Sequence, residues 1–118
     1  HVLGNIDMLP EIVAAVDGKA EIIIDGGFVR GTDIIKAIAL GARAVGIGRL
    51  QAWALGAGGT PGLIHCLELL ENEIITTMGL LGVTALDELD PSYLTKTSPV
   101  NLPHEMSAFP HLPGGRIV

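Results

Sequence analysis

Two glycine-rich turns, each carrying an arginine, are the part of this sequence best suited to chemistry. The first runs from Asp25 to Arg30, and the second ends in Gly48 and Arg49. Glycine has no Cβ, so an anion can approach its backbone N–H, and a guanidinium offers a fork of donors that matches phosphate oxygens. The pattern predicts a phosphate-binding site. Gly27, Gly48 and Arg49 are its candidate phosphate contacts, and Asp25, Gly26 and Arg30, which lie beside them in the first turn, complete a set of six candidate site residues.

A simpler interpretation of each turn is that its glycines only permit a tight reversal and that Arg49 joins a surface ion pair. Taken alone, each turn supports this interpretation as well as it supports phosphate binding. The two turns, however, follow two neighbouring apolar runs, residues 22–24 and 44–47. Loops after adjacent strands of a barrel, together with a helix N-terminus, form a common phosphate site. The pairing of the turns therefore favours phosphate binding.

A strand–helix–strand unit is predicted to position the two turns. Residues 21–25 and 44–48 are short apolar runs typical of strands that are buried on both faces, and residues 33–40 between them have helical spacing. A strand, a helix and a second strand joined by short loops form a parallel crossover. The turns would then lie at the same edge of a parallel sheet.

Three further helices are predicted around this unit. They span residues 7–16, 51–55 and 61–81, with another turn or two of helix at residues 84–89. Asp7 is placed to cap the first helix, and Gly56 together with the Gly58-Gly59 pair is placed to end the second. Glu71 and Glu73 lie on the long helix, where such carboxylates usually mark a solvated face.

The composition changes at Pro91, which divides the chain into two regions. Five of the seven prolines fall at positions 91, 99, 103, 110 and 113. Proline donates no backbone N–H, so residues 91–118 are predicted to be an extended tail, either disordered or lying on another subunit. Residues 1–90 are predicted to fold. Two parallel strands alone would both be sheet edges, so this region is expected to be part of something larger.

The composition also excludes several classes of function. The formal net charge is −6 and the basic residues are scattered, so no basic face for nucleic acid or an anionic membrane is expected. The apolar runs are far shorter than the roughly 20 residues of a spanning helix. The single cysteine, Cys66, favours a reducing, cytoplasmic location. His65, His104 and His111 lack metal-ligand spacing, so no metal site is predicted.

Four motifs carry a resemblance to a known family. They are Asp25-Gly-Gly-x-x-Arg-Gly-Thr-Asp33, Lys36-Ala-x-Ala-Leu-Gly-Ala42, Ala44-Val-x-Ile-Gly-Arg49 and Glu73-x-x-x-Thr-Met-x-Leu-x-Gly82. Together they resemble the C-terminal region of the FMN-dependent α-hydroxy-acid oxidases and dehydrogenases, which include glycolate oxidase, lactate oxidase and mandelate dehydrogenase. The likeness runs without gaps from about Asn5 to Leu94.

The resemblance implies an α/β fold, the last two strand–helix units of a (β/α)₈ barrel, with FMN as its cofactor. Asp25 matches the family's aspartate that contacts the ribityl chain of FMN, whereas Gly27, Gly48 and Arg49 match its phosphate contacts. These roles extend the phosphate site inferred from the two turns to the whole polar end of the flavin.

One position of the first turn departs from the family pattern. The family usually has two arginines before the last glycine of this turn, and the first of them contacts the phosphate. Here that position is Val29, and only Arg30 remains. Either Arg30 reaches the phosphate instead, or the phosphate is held more weakly and depends on Arg49.

The family's catalytic residues fall outside the matched segment. In the family a histidine removes the proton of the substrate hydroxyl, and an arginine three residues later binds the substrate carboxylate. The gapless alignment places both before His1, so no catalytic residue is expected here. They would lie on the N-terminal barrel portion, as a separate or cleaved chain. An alternative alignment makes His1 the base, but it requires a deletion and places Gly4 where the arginine belongs.

The resemblance therefore implies part of an oxidoreductase that converts a small 2-hydroxy acid to a 2-oxo acid, with hydride transfer to the flavin. The assembled barrel is expected to be a homo-oligomer. Two other interpretations stay open. One is a different FMN-binding or phosphate-binding barrel, such as an isomerase or a nucleotide dehydrogenase. The other is a non-catalytic scaffold subunit, which Val29 slightly favours.

Overall fold

A computed structural model describes residues 3–96, which form three α-helices, two strands and two 3₁₀ turns. His1, the catalytic base of the alternative alignment, lies outside the described residues. So does the predicted tail beyond position 96, whereas its first residues are described and Pro91–Tyr93 forms a 3₁₀ turn.

The first helix, α1, spans Asn5–Val16 and begins earlier than predicted. Gly4 takes the N-cap position, so the prediction that Asp7 caps the helix was wrong. Asp7 lies instead in the first turn, where a carboxylate interacts favourably with the helix dipole. Asp17 ends the helix in the left-handed region, with φ 51° and ψ 45°.

The sheet consists of two parallel strands, β1 at Ile23–Asp25 and β2 at Ala44–Gly46. Their register pairs are Ile23 with Ala44, Ile24 with Val45 and Asp25 with Gly46. The predicted parallel crossover is confirmed, although both strands are shorter than the sequence suggested. Helix formation begins only two residues after β2, which limits that strand at its carboxyl end.

Helix α2, Gly31–Ala39, is the crossover between the two strands. It contributes to two cores because opposite faces of the helix are buried. One core packs α2 against α1 and β1, and the other packs it against the end of α3 (Gly48–Leu81) and the segment after that helix. The first core contains Leu9, Ile24, Phe28, Ala37 and Ala42, and the second contains Ile35, Ala39, Val83 and Leu89.

Helix α3 contains a break at Gly58 and Gly59 that separates the two helices predicted from the sequence. Gly59 has φ 59° and ψ −148°, a region that only glycine adopts readily. Pro61 follows in the first turn of the second segment, where its missing N–H costs nothing. The break thus falls at the predicted Gly58-Gly59 pair, and Gly56 lies inside the first segment, where a glycine costs only about 1 kcal/mol relative to alanine.

The chain after α3 forms tight 3₁₀ turns at Leu86–Glu88 and Pro91–Tyr93 rather than further α-helix. The Glu88 carboxylate accepts hydrogen bonds from the backbone N–H groups of Thr84 and Ala85, at 3.0 and 2.8 Å. These bonds favour a short turn, so the further helix predicted at residues 84–89 is present as a single 3₁₀ turn.

Large apolar side chains remain exposed at the outer surfaces of the described region. Ile23 on β1 is 72% exposed, and Ile75 and Leu80 on α3 are 59% and 84% exposed. Contiguous exposed apolar surface usually marks an interface. Within residues 3–96 both strands are also sheet edges. These features favour the prediction that this region packs against more protein.

Candidate anion-binding site

The two glycine-rich turns meet at the carboxyl ends of β1 and β2, as the parallel register requires. Between them lies a cleft of about 290 Å³. The cleft is lined by Asp25, Gly26, Gly27, Phe28, Val29, Gly46, Ile47, Gly48, Arg49 and Leu50. Five of the six candidate site residues therefore share one cavity, and Arg30 is the exception.

Asp25 lines this cleft, and both Gly46 and Asn5 contact it. It is paired with Gly46 on β2, and a Cβ at Gly46 would lie 2.9 Å from the Asp25 carboxylate. Any larger residue at position 46 would therefore displace the aspartate. The side-chain amide of Asn5, at the start of α1, donates a hydrogen bond to the Asp25 carbonyl oxygen at 2.5 Å. The Asp25 backbone is thus held at the cleft, and its exposed carboxylate can accept hydrogen bonds from hydroxyl groups.

The first turn reverses the chain through two glycines with positive φ, 130° at Gly26 and 81° at Gly27. Side-chain-bearing residues rarely adopt these values. No other heavy atom lies within 4 Å of the position that a Cβ at Gly27 would take. A ligand can therefore approach this stretch of backbone closely.

The N-terminus of α3 forms the opposite wall of the cleft. Ile47 is the N-cap, and the Gln51 N–H donates to its carbonyl oxygen at 2.8 Å. The amides of Gly48, Arg49 and Leu50 precede that bond, so they have no partner within the helix. Around Gly48 the space for a Cβ is also open. Free amides at the positive end of a helix are a ready anion site.

Arg49 adds a side-chain cation at this helix end. Arg49 is exposed and lines the cleft. Over residues 3–96, no carboxylate lies within ion-pair distance of it. The simpler interpretation, in which Arg49 forms a surface ion pair, therefore finds no partner in the described region. Amides, glycines and Arg49 together fit a phosphate.

The Arg30 side chain contacts Glu73 on α3 and does not line the cleft. Its Nη2 lies 2.7 Å from Glu73 Oε1 on α3. The other carboxylate oxygen, Glu73 Oε2, accepts a hydrogen bond from the Gly31 N–H at 2.6 Å. Arg30 and Glu73 line a second hollow of about 220 Å³, which shares Val29 and Leu50 with the cleft. Direct phosphate binding by Arg30 stays a prediction.

Glu73 was missed as a site residue, because the helical pattern indicated a solvated face. Its side chain is only 31% exposed, whereas Glu71 is exposed as expected. The pKa of Glu73 lies below its ordinary value, chiefly because the Gly31 N–H donates to the carboxylate and further because Arg30 pairs with it. The family motif that begins at Glu73 singled out the residue, but only the fold shows that it contacts Arg30 and Gly31.

The remaining polar candidates form no second site in the described region. The His65 Nδ1 lies 3.6 Å from a Glu68 carboxylate oxygen on the exposed face of α3, and Cys66 is half-buried beside it. Among residues 3–96, no group of three or more histidines, cysteines or carboxylates could hold a metal ion. No helix in this range is both long and apolar enough to cross a membrane.

The fold and the cleft thus describe one end of a parallel β/α unit built to hold an anion, as in the phosphate sites of flavin-binding and nucleotide-binding barrels. The sequence profile of the FMN-dependent dehydrogenases matches residues 1–96. The chain belongs to this family of FMN-dependent oxidoreductases.

Curated relatives agree with this assignment. The chain is 52% identical over 92 residues to an L-lactate oxidase from Nostoc sp., and these residues are 78% of the chain and 25% of the relative. It is 44% identical over 95 residues to the human 2-hydroxyacid oxidase 1, covering 80% of the chain and 26% of the relative. The chain therefore spans about a quarter of the length of these proteins.

Solved structures give the same result in three dimensions. A mandelate oxidase variant with a monooxide FMN adduct superposes with a TM-score of 0.71 at 47% identity, over 74% of this chain and 28% of that one. A mandelate oxidase with benzoyl-formic acid gives the same score and identity over 26% of its length. The helices and small parallel sheet thus correspond to part of an oxidase barrel.

Proposed function

We propose that this chain forms the FMN-phosphate-binding and ribityl-binding part of an enzyme that oxidises a 2-hydroxy acid to a 2-oxo acid. The observation that carries the proposal is the cleft at the ends of β1 and β2, which collects Asp25, the glycine turns and Arg49. The relatives named as lactate, 2-hydroxyacid and mandelate oxidases supply the substrate class.

Each wall of the cleft has a separate task. The amides at the start of α3 and the Arg49 guanidinium hold the phosphate, because both are donors at the positive end of a helix. The Asp25 carboxylate, fixed across Gly46, accepts hydrogen bonds from ribityl hydroxyls. The backbone of Gly26 and Gly27 lets the ligand approach between these two groups.

The bound flavin supplies the redox chemistry, as the acceptor of a hydride from the substrate carbon. The residues of this chain bind and orient it and close one end of the barrel. Removal of the hydroxyl proton requires a base within hydrogen-bond reach of the substrate, supported by a second group. We propose that this base and the carboxylate-binding arginine lie on the N-terminal barrel portion.

The direct test uses the whole enzyme that contains this chain. Purified anaerobically, it should carry FMN, and a 2-hydroxy acid such as lactate, glycolate or mandelate should bleach the visible flavin absorbance while one equivalent of 2-oxo acid forms. A flavin-containing enzyme that none of these acids reduces would favour another FMN-dependent barrel. A preparation that cannot be loaded with FMN would favour the scaffold subunit.

A variant of His1 tests where the base lies. His1→Ala in the whole enzyme should change the turnover number by less than about tenfold, because loss of a general base typically costs 10²–10⁴. Turnover at saturating substrate and the FMN content are measured together. A loss of about a thousandfold with FMN still bound would make His1 the base and overturn the gapless alignment.

A further inference from the structure

Glu73 joins two parts of the molecule that are far apart in the sequence. Its two carboxylate oxygens are both engaged, Oε2 by the Gly31 N–H at 2.6 Å and Oε1 by the Arg30 guanidinium at 2.7 Å. The two helices also approach closely, since a Cβ at Gly31 would lie 2.6 Å from the Glu73 Cβ and 2.8 Å from the Ile74 backbone nitrogen. The end of the first turn is therefore locked onto α3.

This contact bears on the cleft because it is one of the anchors of the first turn, beside Phe28, whose side chain is buried in the first core. At its start, Asn5 fixes the Asp25 carbonyl. In its middle, Gly27 has no neighbour within 4 Å of the Cβ position. Its other end is held by Glu73, with Asp33 accepting a further hydrogen bond from the Arg30 N–H at 3.1 Å. The path of the glycine backbone therefore depends on these anchors, and Glu73 is the anchor that ties the turn to α3.

We propose that Glu73 is a positioning residue for the flavin phosphate: by holding Arg30 and the Gly31 amide against α3, it fixes the turn whose backbone lines the cleft. Glu73 does so without lining the cleft itself. The inference rests on the proposed function, because it concerns the same cleft and the same ligand.

The negative charge of Glu73 also has an effect that opposes phosphate binding. A carboxylate near a phosphate site repels the ligand, and a freed Arg30 could turn toward the cleft and bind it. The charge of Glu73, however, is already opposed by Arg30 at 2.7 Å and by the start of α2 at Gly31. Loss of the anchor should therefore outweigh loss of the repulsion, and removal of Glu73 should weaken FMN binding.

The experiment compares four variants of the whole enzyme, prepared as apoenzyme and titrated with FMN by flavin fluorescence. Glu73→Ala removes the anchor, and Glu73→Met keeps an unbranched side chain without acceptor oxygens. Both should raise the FMN Kd about tenfold, the scale of one hydrogen bond to a charged group. Glu73→Gln keeps one acceptor and should give a smaller rise. Glu71→Gln, two residues away and exposed, is the matched control and should leave the Kd unchanged.

Several outcomes would overturn the inference. An unchanged or lower Kd in Glu73→Ala would show that the turn needs no anchor or that repulsion dominates. Wild-type affinity in Glu73→Met would show that only packing matters. If Glu73→Ala and Glu73→Met fail to fold, the Gln variant decides, and its Kd must exceed that of the Glu71 control.

Turnover and a second variant separate this inference from the proposed function. With FMN saturating, kcat of the Glu73 variants should match wild type, since the residue acts on binding and does not touch the reacting atoms. Arg49→Ala tests the cleft itself. An unchanged FMN Kd in Arg49→Ala would remove the proposed phosphate site. A raised Kd there with a normal Kd in all Glu73 variants would remove only the role of Glu73.

Discussion

The N-termini of α2 and α3 look alike in the sequence but differ in the structure. Each follows a parallel strand and a glycine-rich turn, and each has an arginine next to its first residue. At α2 the amides are taken by the protein's own carboxylates, Glu73 at Gly31 and Asp33 at Arg30. At α3 the amides of the first turn have no helical partner and face an open cleft.

The difference shows how a protein assigns one helix end to structure and another to a ligand. A carboxylate at a helix N-terminus satisfies the same donors that would hold a phosphate. Once Glu73 occupies the start of α2, that end no longer offers the Gly31 N–H to a ligand. The open end at Gly48 is thus the one suited to phosphate, although both turns carry glycine and arginine.

The largest effect that we expect is the loss of cooperative folding in the isolated chain, which would affect both helix ends. Expressed alone, the 118-residue chain should show no cooperative unfolding, because Ile23 and Leu80 would stay exposed and the two strands would stay edges. Thermal and urea unfolding followed by circular dichroism provide the measurement. A sharp two-state melt from a monomer would show that the helix ends need no further protein to be held in place.

Two glycine-to-alanine variants, one at each helix end, should differ in how much they lower the free energy of unfolding. In the whole enzyme, Gly31→Ala should lower the free energy of unfolding by about 1–3 kcal/mol, because its Cβ would collide with the backbone of α3. Gly48→Ala meets open space and should change stability by less than about 1 kcal/mol while weakening FMN binding. Equal losses of stability in both variants, measured by urea unfolding of the apoenzymes, would contradict the comparison.

The smallest effect should appear in the pH dependence of stability. The folded-state pKa of Glu73 is depressed by the Gly31 N–H and Arg30, so its carboxylate stabilises the fold above the ordinary value of 4.5. That contribution should disappear as the pH falls through the lowered folded pKa. The difference in apoenzyme Tm between wild type and Glu73→Gln should therefore be constant above 4.5 and shrink below it. A Tm difference that grows on acidification would show that the folded-state pKa of Glu73 is raised and not lowered.

Much of the site could be predicted from the sequence because its signals are local. The strand–turn–helix order places Asp25, Gly48 and Arg49 at one sheet edge, and the parallel pairing confirms that placement. Glycine spacing also indicated that α3 is broken at the Gly58-Gly59 pair, although the helix begins at Gly48, earlier than predicted.

What could not be predicted depends on contacts across the chain. Glu73 lies 42 positions from Gly31, and nothing in a helical pattern distinguishes it from the exposed Glu71. Arg30 looked like a phosphate ligand because it is the one arginine left in the first turn once Val29 takes the place of the other. Only the packing of α2 on α3, which the close contact at Gly31 permits, brings Arg30 to Glu73.

The central claim, that the phosphate is held at the start of α3, is tested most directly by comparing FMN with riboflavin, which lacks the phosphate. In the apoenzyme, Arg49→Ala should weaken FMN by about 1.5–3 kcal/mol, the scale of a charge-assisted contact, and leave riboflavin affinity unchanged. Arg30→Ala should lower the preference for FMN over riboflavin much less. If Arg30→Ala abolishes that preference while Arg49→Ala preserves it, the phosphate lies at the start of α2 and the claim is wrong.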